Sequence, residues 1–142
     1  MPELAGIETV LFLQSIDLFR FCSAEQILRL AAISHERRFS AGDSIFKFEN
    51  SADVLLFVVR GMVALEGSEG DREEIGPLSP FGVEEILCGR LRARSARALT
   101  DTLVLAMDAE DFFDLLANNI EIVRALFRRY LPAPSAVGEL TP

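Results

Sequence analysis

The spacing of apolar residues changes twice along the chain and divides it into three stretches. Residues 1–34 carry apolar positions at the spacing of helices. Residues 35–107 carry short runs rich in β-branched and aromatic residues, separated by turn residues. Helical spacing returns over residues 108–131, and residues 132–142 have the Pro- and Ser-containing composition of a tail or linker.

The middle stretch predicts seven short strands, near 36–39, 44–48, 54–59, 62–66, 73–76, 95–99 and 103–107. Short strands at this spacing favour a sandwich or small barrel over a parallel sheet with crossover helices. Gly61 lies between two of the apolar runs and predicts a tight hairpin turn. The predicted fold class is mostly β with flanking helices (α+β), in the form of an antiparallel β-roll or jelly roll.

The flanking stretches carry start signals for helices. Ser23 and Gln26 have the spacing of a capping box, and Asp108 is a suitable N-cap for the first of two C-terminal helices. In the last helix an apolar stripe runs through Val123, Phe127 and Tyr130. This stripe predicts packing on the body of the domain, and it also permits a homodimer through the C-terminal helix.

One segment interrupts the β pattern. Residues 81–89 predict one or two helical turns after a glycine, with acids at the start, where the helix dipole favours them. Arginines follow at positions 90, 92, 94 and 97. A phosphodiester suits a helix N-terminus with free amides and a fixed arginine beside it, so the segment favours an anion site. The same arginines could instead form a solvated strand face that pairs with the acids of residues 69–74.

Composition narrows the classes of function. The chain has 142 residues, enough for one domain, and its 50% hydrophobic content is typical of a folded protein. The formal net charge of -8 disfavours binding to nucleic acid. No apolar run has the length of a membrane span, which predicts no direct membrane insertion, and residues 1–4 lack the basic start of a secretory signal. We therefore expect a cytoplasmic protein or the cytosolic part of a larger one.

The residues available for catalysis are few. His35 is the one histidine and lies in a polar run that predicts the solvent side of a strand. Cys22 and Cys88 lack metal-binding spacing and are predicted to be buried free thiols. We therefore predict neither a catalytic site nor a metal site, and the shortage of histidine also opposes a metal-binding, cupin-like barrel.

The order of these elements resembles the cyclic-nucleotide-binding domain family. Ala41–Phe46 looks like the family's turn between its first strands. Glu49–Gly61 resembles its Glu-Gly-Asp-x-Ala-Asp, apolar strand and Gly pattern, with Asn50 where Gly is usual and where a left-handed turn is expected. Phe81–Ser95 aligns without a gap with the family's phosphate-binding cassette, whose helix is the short inserted one. The resemblance covers about residues 10–131.

This resemblance implies a non-catalytic regulatory sensor that binds cAMP, cGMP or a related anionic nucleotide and relays the signal through its C-terminal helices. Arg92 stands at the position of the family's phosphate-binding arginine. The residues that the resemblance assigns to the ligand are Phe81, Gly82, Val83, Glu84, Arg92, Ala93, Arg94 and Ser95. The implied partners are the small nucleotide and an effector domain or protein outside this chain.

The cassette also departs from the family's pattern. Val83 replaces the Glu that accepts a hydrogen bond from the ribose 2′-hydroxyl, and Leu91 replaces the Pro before the arginine. Glu84 is adjacent to Val83, but one helical residue turns a side chain by ~100°. A second hypothesis therefore stays open: a degenerate domain of the same fold that no longer binds cyclic nucleotide and serves as a protein-protein interaction or structural module.

Overall fold

A computed structural model describes residues 4–130 of the chain. The predicted tail at residues 132–142, the predicted helix end at residue 131 and residues 1–3 lie outside the described residues. The helices are α1 (Gly6–Ser15), α2 (Ala24–Ala32), α3 (Val83–Cys88), α4 (Ala109–Leu116) and α5 (Ile120–Tyr130), with a 3₁₀ turn at Asp17–Phe19. The strands are β1 (Ser34–Phe39), β2 (Ser44–Phe46), β3 (Val54–Arg60), β4 (Val63–Glu66), β5 (Arg72–Ile75), β6 (Pro80–Phe81), β7 (Ser95–Ala98) and β8 (Thr102–Asp108).

Two four-stranded antiparallel sheets form the body of the domain. Their strand orders are β1-β8-β3-β6 and β2-β7-β4-β5. Helices α1, α2, α4 and α5 contribute buried side chains to one face of the first sheet, and the second sheet covers its other face. The predicted β-roll with flanking helices is thus confirmed, and the short inserted helix is α3.

Strand β8 explains how the three layers are held together. Leu105 and Met107 pack into the core on the helix side, whereas Val104 and Ala106 pack into the core between the sheets. Successive side chains of a strand point to opposite faces, so a strand buried on both faces must be apolar at every position. This requirement accounts for the continuous apolar run from Leu103 to Met107, all of it at most 1% exposed.

The helix-start signals are partly confirmed. Ser23 accepts a hydrogen bond from the amide of Gln26, whose side chain accepts one from the amide of Ser23, so the capping box is present. Asp108 occupies the N-cap position of α4, but its side chain makes no capping hydrogen bond. In α5 the buried residues are Ile122, Ala125 and Leu126, and Phe127 is 58% exposed. Of the predicted stripe, Tyr130 packs against the helix-side core, whereas Phe127 points away from it.

Three local predictions are wrong for physical reasons that the structure shows. Gly61 does not close a hairpin: β3 and β4 belong to different sheets, and the chain crosses between them at this glycine. The left-handed turn residue is Glu49, with φ 69°, whereas Asn50 stabilises the turn because its Oδ1 accepts a hydrogen bond from the amide of Lys47. The predicted burial of both thiols fails for Cys88, which is exposed near the end of α3.

Candidate functional site

The segment from β6 to β7 is built around a glycine. Gly82 has a φ of 74° and caps the start of α3, and Gly89 ends the helix with a φ of 65°. A Cβ atom at Gly82 would collide with Nη1 of Arg92, whereas a Cβ at Gly89 would meet no atom within 4 Å. The two glycines share a left-handed backbone, but only Gly82 is also required for the close approach of another side chain.

Arg92 lies in the interior of the domain, where its terminal nitrogens donate hydrogen bonds to backbone carbonyls. Its side chain is 2% exposed, Nη1 donates to the carbonyl of Gly82, and Nη2 donates to the carbonyl of Val54 at 2.9 Å. The same Nη1 lies 3.5 Å from Oε1 of Glu85. The guanidinium also stacks over Phe46, with its central carbon 4.2 Å from the ring centroid.

Burial of this cation has an electrostatic cost that its partners offset. Burial lowers the pKa of Arg92 from its ordinary value, and the carboxylates of Glu85 and Asp53 oppose that shift. The Nε atom is buried and has no hydrogen-bond partner in the described part of the chain. The Nε–H group of Arg92 is therefore a buried donor without an acceptor, which is unfavourable.

A cavity of about 310 Å³ lies beside α3 and extends to the end of α5. The cassette contributes Gly82, Val83, Glu84 and Glu85 to its wall, and the lining residues outside the cassette include Leu65, Glu73, Ile75, Pro80, Arg129 and Tyr130. One cavity therefore contacts both the inserted helix and the last described helix. Its size is at the lower end of the range of small-molecule sites.

The charged groups of the cavity are partly paired with one another. Arg94 donates to Glu73 at 3.1 Å, and both residues line the cavity. Burial raises the pKa of Tyr130 above its usual value, and the neighbouring Arg129 acts in the opposite direction. The cavity therefore offers an aromatic hydroxyl and two guanidinium groups, together with carboxylates of the opposite sign.

The residues assigned from the resemblance fall into two groups. Those that line the cavity are Phe81, Gly82, Val83, Glu84 and Arg94. The other three do not border the cavity. Arg92 is turned inward and Ala93 is exposed. The hydroxyl of Ser95 accepts a hydrogen bond from the amide of Phe48 at 2.9 Å. Val83 is 2% exposed and belongs to the apolar core while it also lines the cavity.

The arginines do not share one face as the alternation had suggested. Residues 89–94 form no strand, so Arg90 is exposed while Arg92 is buried. Arg94 pairs with Glu73, and Arg97 pairs with Glu66 at 3.2 Å. The interpretation of a surface face paired with the acids of residues 69–74 therefore describes Arg94, whereas the partner of Arg97 lies outside that range. Arg92 belongs to neither group, because it is buried.

Sequence reasoning missed three residues of this site. Glu85 was placed at the helix start only as a favourable charge, although it reaches Arg92. Phe46 stacks on both Arg92 and Phe81, and Tyr130 lines the cavity. The available signal for Glu85 was helical geometry, because two adjacent acids point about 100° apart and therefore have different surroundings.

Two further searches covered the described residues 4–130. No group of three or more His, Cys, Asp and Glu side chains there could hold a metal ion. None of the helices in that range has the length and apolar content to cross a membrane.

The fold and the site together define a β-roll domain with a helix inserted beside a small-molecule cavity. The sequence model described as "Cyclic nucleotide-binding domain" matches residues 36–119, and the chain belongs to this family. The family's domain is a regulatory, non-catalytic fold.

Individual relatives agree with this assignment. The chain is 25% identical over 123 residues to the cGMP-dependent 3',5'-cGMP phosphodiesterase A of Dictyostelium discoideum, covering 87% of this chain and 14% of the relative. Among solved structures it is similar to the catabolite activator protein of Thermus thermophilus, with a TM-score of 0.70 and 28% identity, covering 87% of this chain and 61% of the other. The sensor domain of the transcriptional regulator DNR from Pseudomonas aeruginosa has a TM-score of 0.78 at 19% identity, and each chain is covered to 87%.

Proposed function

We propose that this domain is a regulatory sensor that binds cAMP, cGMP or a related small anionic nucleotide in the cavity beside α3. The observation that carries the proposal is that this one cavity is lined both by the cassette, through Gly82 and Val83, and by the end of α5, through Arg129 and Tyr130. A ligand there would contact the inserted helix and the C-terminal helix at once. Binding would therefore shift the population of α5 conformations.

Two guanidinium groups of the cavity and the relatives support an anionic nucleotide as the ligand. Arg94 and Arg129 line the cavity, and a phosphate could take the place of Glu73 as the partner of Arg94. The phosphodiesterase relative is named for its dependence on cGMP. The chain spans about one seventh of that relative, so the regulated effector is proposed to be a domain or protein outside this chain.

Several finer features stay predictions. A cytoplasmic location and the absence of nucleic acid among the partners rest on the sequence. A homodimer through α5 would use its exposed apolar residues, since Ile120 and Phe127 are 55% and 58% exposed. The ligand contacts of Phe81, Glu84, Ala93 and Ser95 are predictions of the same kind.

A second candidate function is favoured by the geometry of Arg92. Both of its terminal nitrogens already have acceptors within the domain, and Val83 offers no acceptor for a ribose hydroxyl. Loss of a hydrogen bond to a charged acceptor lowers affinity by roughly ten- to a hundredfold. In this second case the fold serves as an interaction or structural module without a nucleotide.

Calorimetric titration separates the two candidates. We expect cAMP or cGMP to bind the wild-type domain and Arg94→Ala to weaken that binding by about tenfold, because the cavity loses a cation. The control is Arg29→Ala, which removes an exposed arginine paired with Glu25 on α2 and should leave affinity unchanged. Hydrogen exchange of residues 120–130 should slow when ligand binds. No heat from either nucleotide at millimolar concentration would favour the interaction module.

A further inference from the structure

Another cavity lies between the 3₁₀ turn and α5, away from the inserted helix. Its volume is about 340 Å³, and it is lined by Asp17, Arg20, Ala125, Arg128 and Arg129. We call this cavity the arginine groove. Three guanidinium groups and one carboxylate line it, in a chain whose formal net charge is -8. The groove therefore has the opposite sign of charge to the chain as a whole.

The spacing of residues on α5 forms one wall of the arginine groove. Ala125 precedes Arg128 and Arg129 by three and four positions, so the three side chains lie on neighbouring parts of one helix face. Ala125 is buried, and its small side chain leaves room beside the two arginines. The helix dipole favours cations in this last turn, but it does not account for Arg20 on the opposite wall.

An aromatic ring holds guanidinium groups from both walls. The central guanidinium carbon of Arg20 lies 4.6 Å from the centroid of the Phe21 ring, and that of Arg128 lies 5.7 Å from the same centroid. Both distances are within the range of cation–π attraction. Phe21 therefore brings together two cations from distant parts of the sequence.

The acids near the arginine groove do not neutralise it. Asp17 lies 3.4 Å from Arg20, and the two side chains are 74% and 60% exposed, so the pair is weak. In the described part of the chain, no carboxylate oxygen lies within 4 Å of a guanidinium nitrogen of Arg128 or Arg129. Glu121 lies one turn earlier on α5 and does not line the groove. The lining therefore carries two more positive than negative charges.

We propose that the arginine groove binds a phosphate dianion, either as the free ion or as a phosphate monoester. A phosphate monoester carries about -1.5 to -2 charges at pH 7, which matches the excess charge of the lining. Its oxygens suit planar guanidinium groups, which donate two parallel hydrogen bonds to such a group. The site is distinct from the cavity beside α3, although Arg129 borders both, and it does not rest on the proposed function.

The test is an NMR titration of the ¹⁵N-labelled chain with sodium phosphate and, separately, with glycerol 3-phosphate. We expect saturable shifts of the amides of residues 17–21 and 125–129. Arg128→Gln should weaken binding by about tenfold or more, because a hydrogen bond between charged groups is lost. Arg20→Gln, on the opposite wall, is the second variant and should have the same effect. Equal binding of both compounds would identify a monoester site, and binding of sodium phosphate alone would identify a site for the free ion.

Sodium chloride at matched ionic strength separates a site from general screening of charge, and it should give no saturable shift at these amides. Thermal unfolding in buffer without phosphate establishes that each variant is folded before titration. Shifts that fail to saturate with either phosphate compound would mean an adventitious ion only and would overturn the inference.

The matched control is Arg29→Gln, which removes an exposed arginine paired with Glu25 outside the arginine groove and should leave phosphate affinity unchanged. Equal weakening by this variant would show that phosphate responds only to overall charge, and the inference would fail. Arg94→Gln removes a cation that lines the cavity beside α3 but not the groove. Loss of phosphate binding in Arg94→Gln, with Arg128→Gln unaffected, would assign the ion to that other cavity and would also overturn the inference.

Discussion

The central strand and the cassette bury side chains of opposite kinds. In β8 the buried residues from Leu103 to Met107 are apolar and are divided between the two core layers. The cassette buries Arg92 as completely as the apolar Val83, each at 2% exposure. Apolar contacts are non-directional, so many sequences satisfy a strand such as β8. A buried guanidinium needs acceptors at fixed places, so its position depends on particular neighbours.

Among the variants that test this comparison, Arg92→Met is expected to change the stability of the domain most. Methionine retains much of the volume but leaves the carbonyls of Gly82 and Val54 and the carboxylate of Glu85 without their donor. We expect the free energy of unfolding to fall by about 3–5 kcal/mol, the usual cost of removing one partner of a buried ion pair. Urea unfolding followed by circular dichroism measures this change.

Arg94→Met is the matched control for that experiment. Arg94 is 33% exposed and pairs with Glu73, which is 55% exposed, so its replacement should cost less than about 1 kcal/mol. Equal stabilities of the two variants would mean that the burial of Arg92 contributes nothing specific. The contrast between the cassette and β8 would then lose its energetic basis.

A smaller effect is expected from Gly82→Ala. Alanine is destabilising in the left-handed backbone conformation of both Gly82 and Gly89, which have φ values of 74° and 65°. We therefore expect Gly89→Ala to cost about 1 kcal/mol. Gly82→Ala should cost about 1 kcal/mol more than that, because its Cβ must displace the guanidinium of Arg92. The difference in unfolding free energy between the two variants, obtained from chemical unfolding, measures the close approach of Arg92 to Gly82. Equal destabilisation by the two substitutions would contradict this role of Gly82.

The two regions also differ in how well the sequence predicts them. The run from Leu103 to Met107 predicts a strand, because a short continuous apolar run is a local property of the chain. The arginines at 90, 92 and 94 would share a face only in an extended chain, and no strand forms there. Arg92 turns inward because its acceptors include the carbonyl of Val54, which is 38 residues away. No pattern within the cassette contains that information.

The dependence on residues distant in the sequence also explains which part of the candidate site could be predicted from the sequence. The order of motifs located the cassette and the fold, since these depend on spacing along the chain. The cavity wall from Arg129 and Tyr130 depends on where α5 packs, and that is set by Ile122, Ala125 and Leu126 on its earlier turns. Helical periodicity allowed several faces for α5, and the contact with the 3₁₀ turn and α4 selects one of them.

The smallest expected effect compares Cys22, which packs against the helix-side core that β8 shares, with Cys88 of the cassette. Burial, with a smaller contribution from Glu121, raises the pKa of the Cys22 thiol from 9.0 to about 11, and Cys22 packs against the helix-side core. Only the thiolate is alkylated, so a raised pKa moves the reactive range to higher pH. In Cys88→Ser, which retains Cys22, the rate of reaction with iodoacetamide should therefore continue to climb up to about pH 11. In Cys22→Ser the exposed Cys88 of the cassette should react faster at pH 8, because access does not limit it. Circular dichroism at each pH ensures that only folded protein is compared, and a Cys22 rate that levels off near pH 9 would show that this thiol is not held in the core.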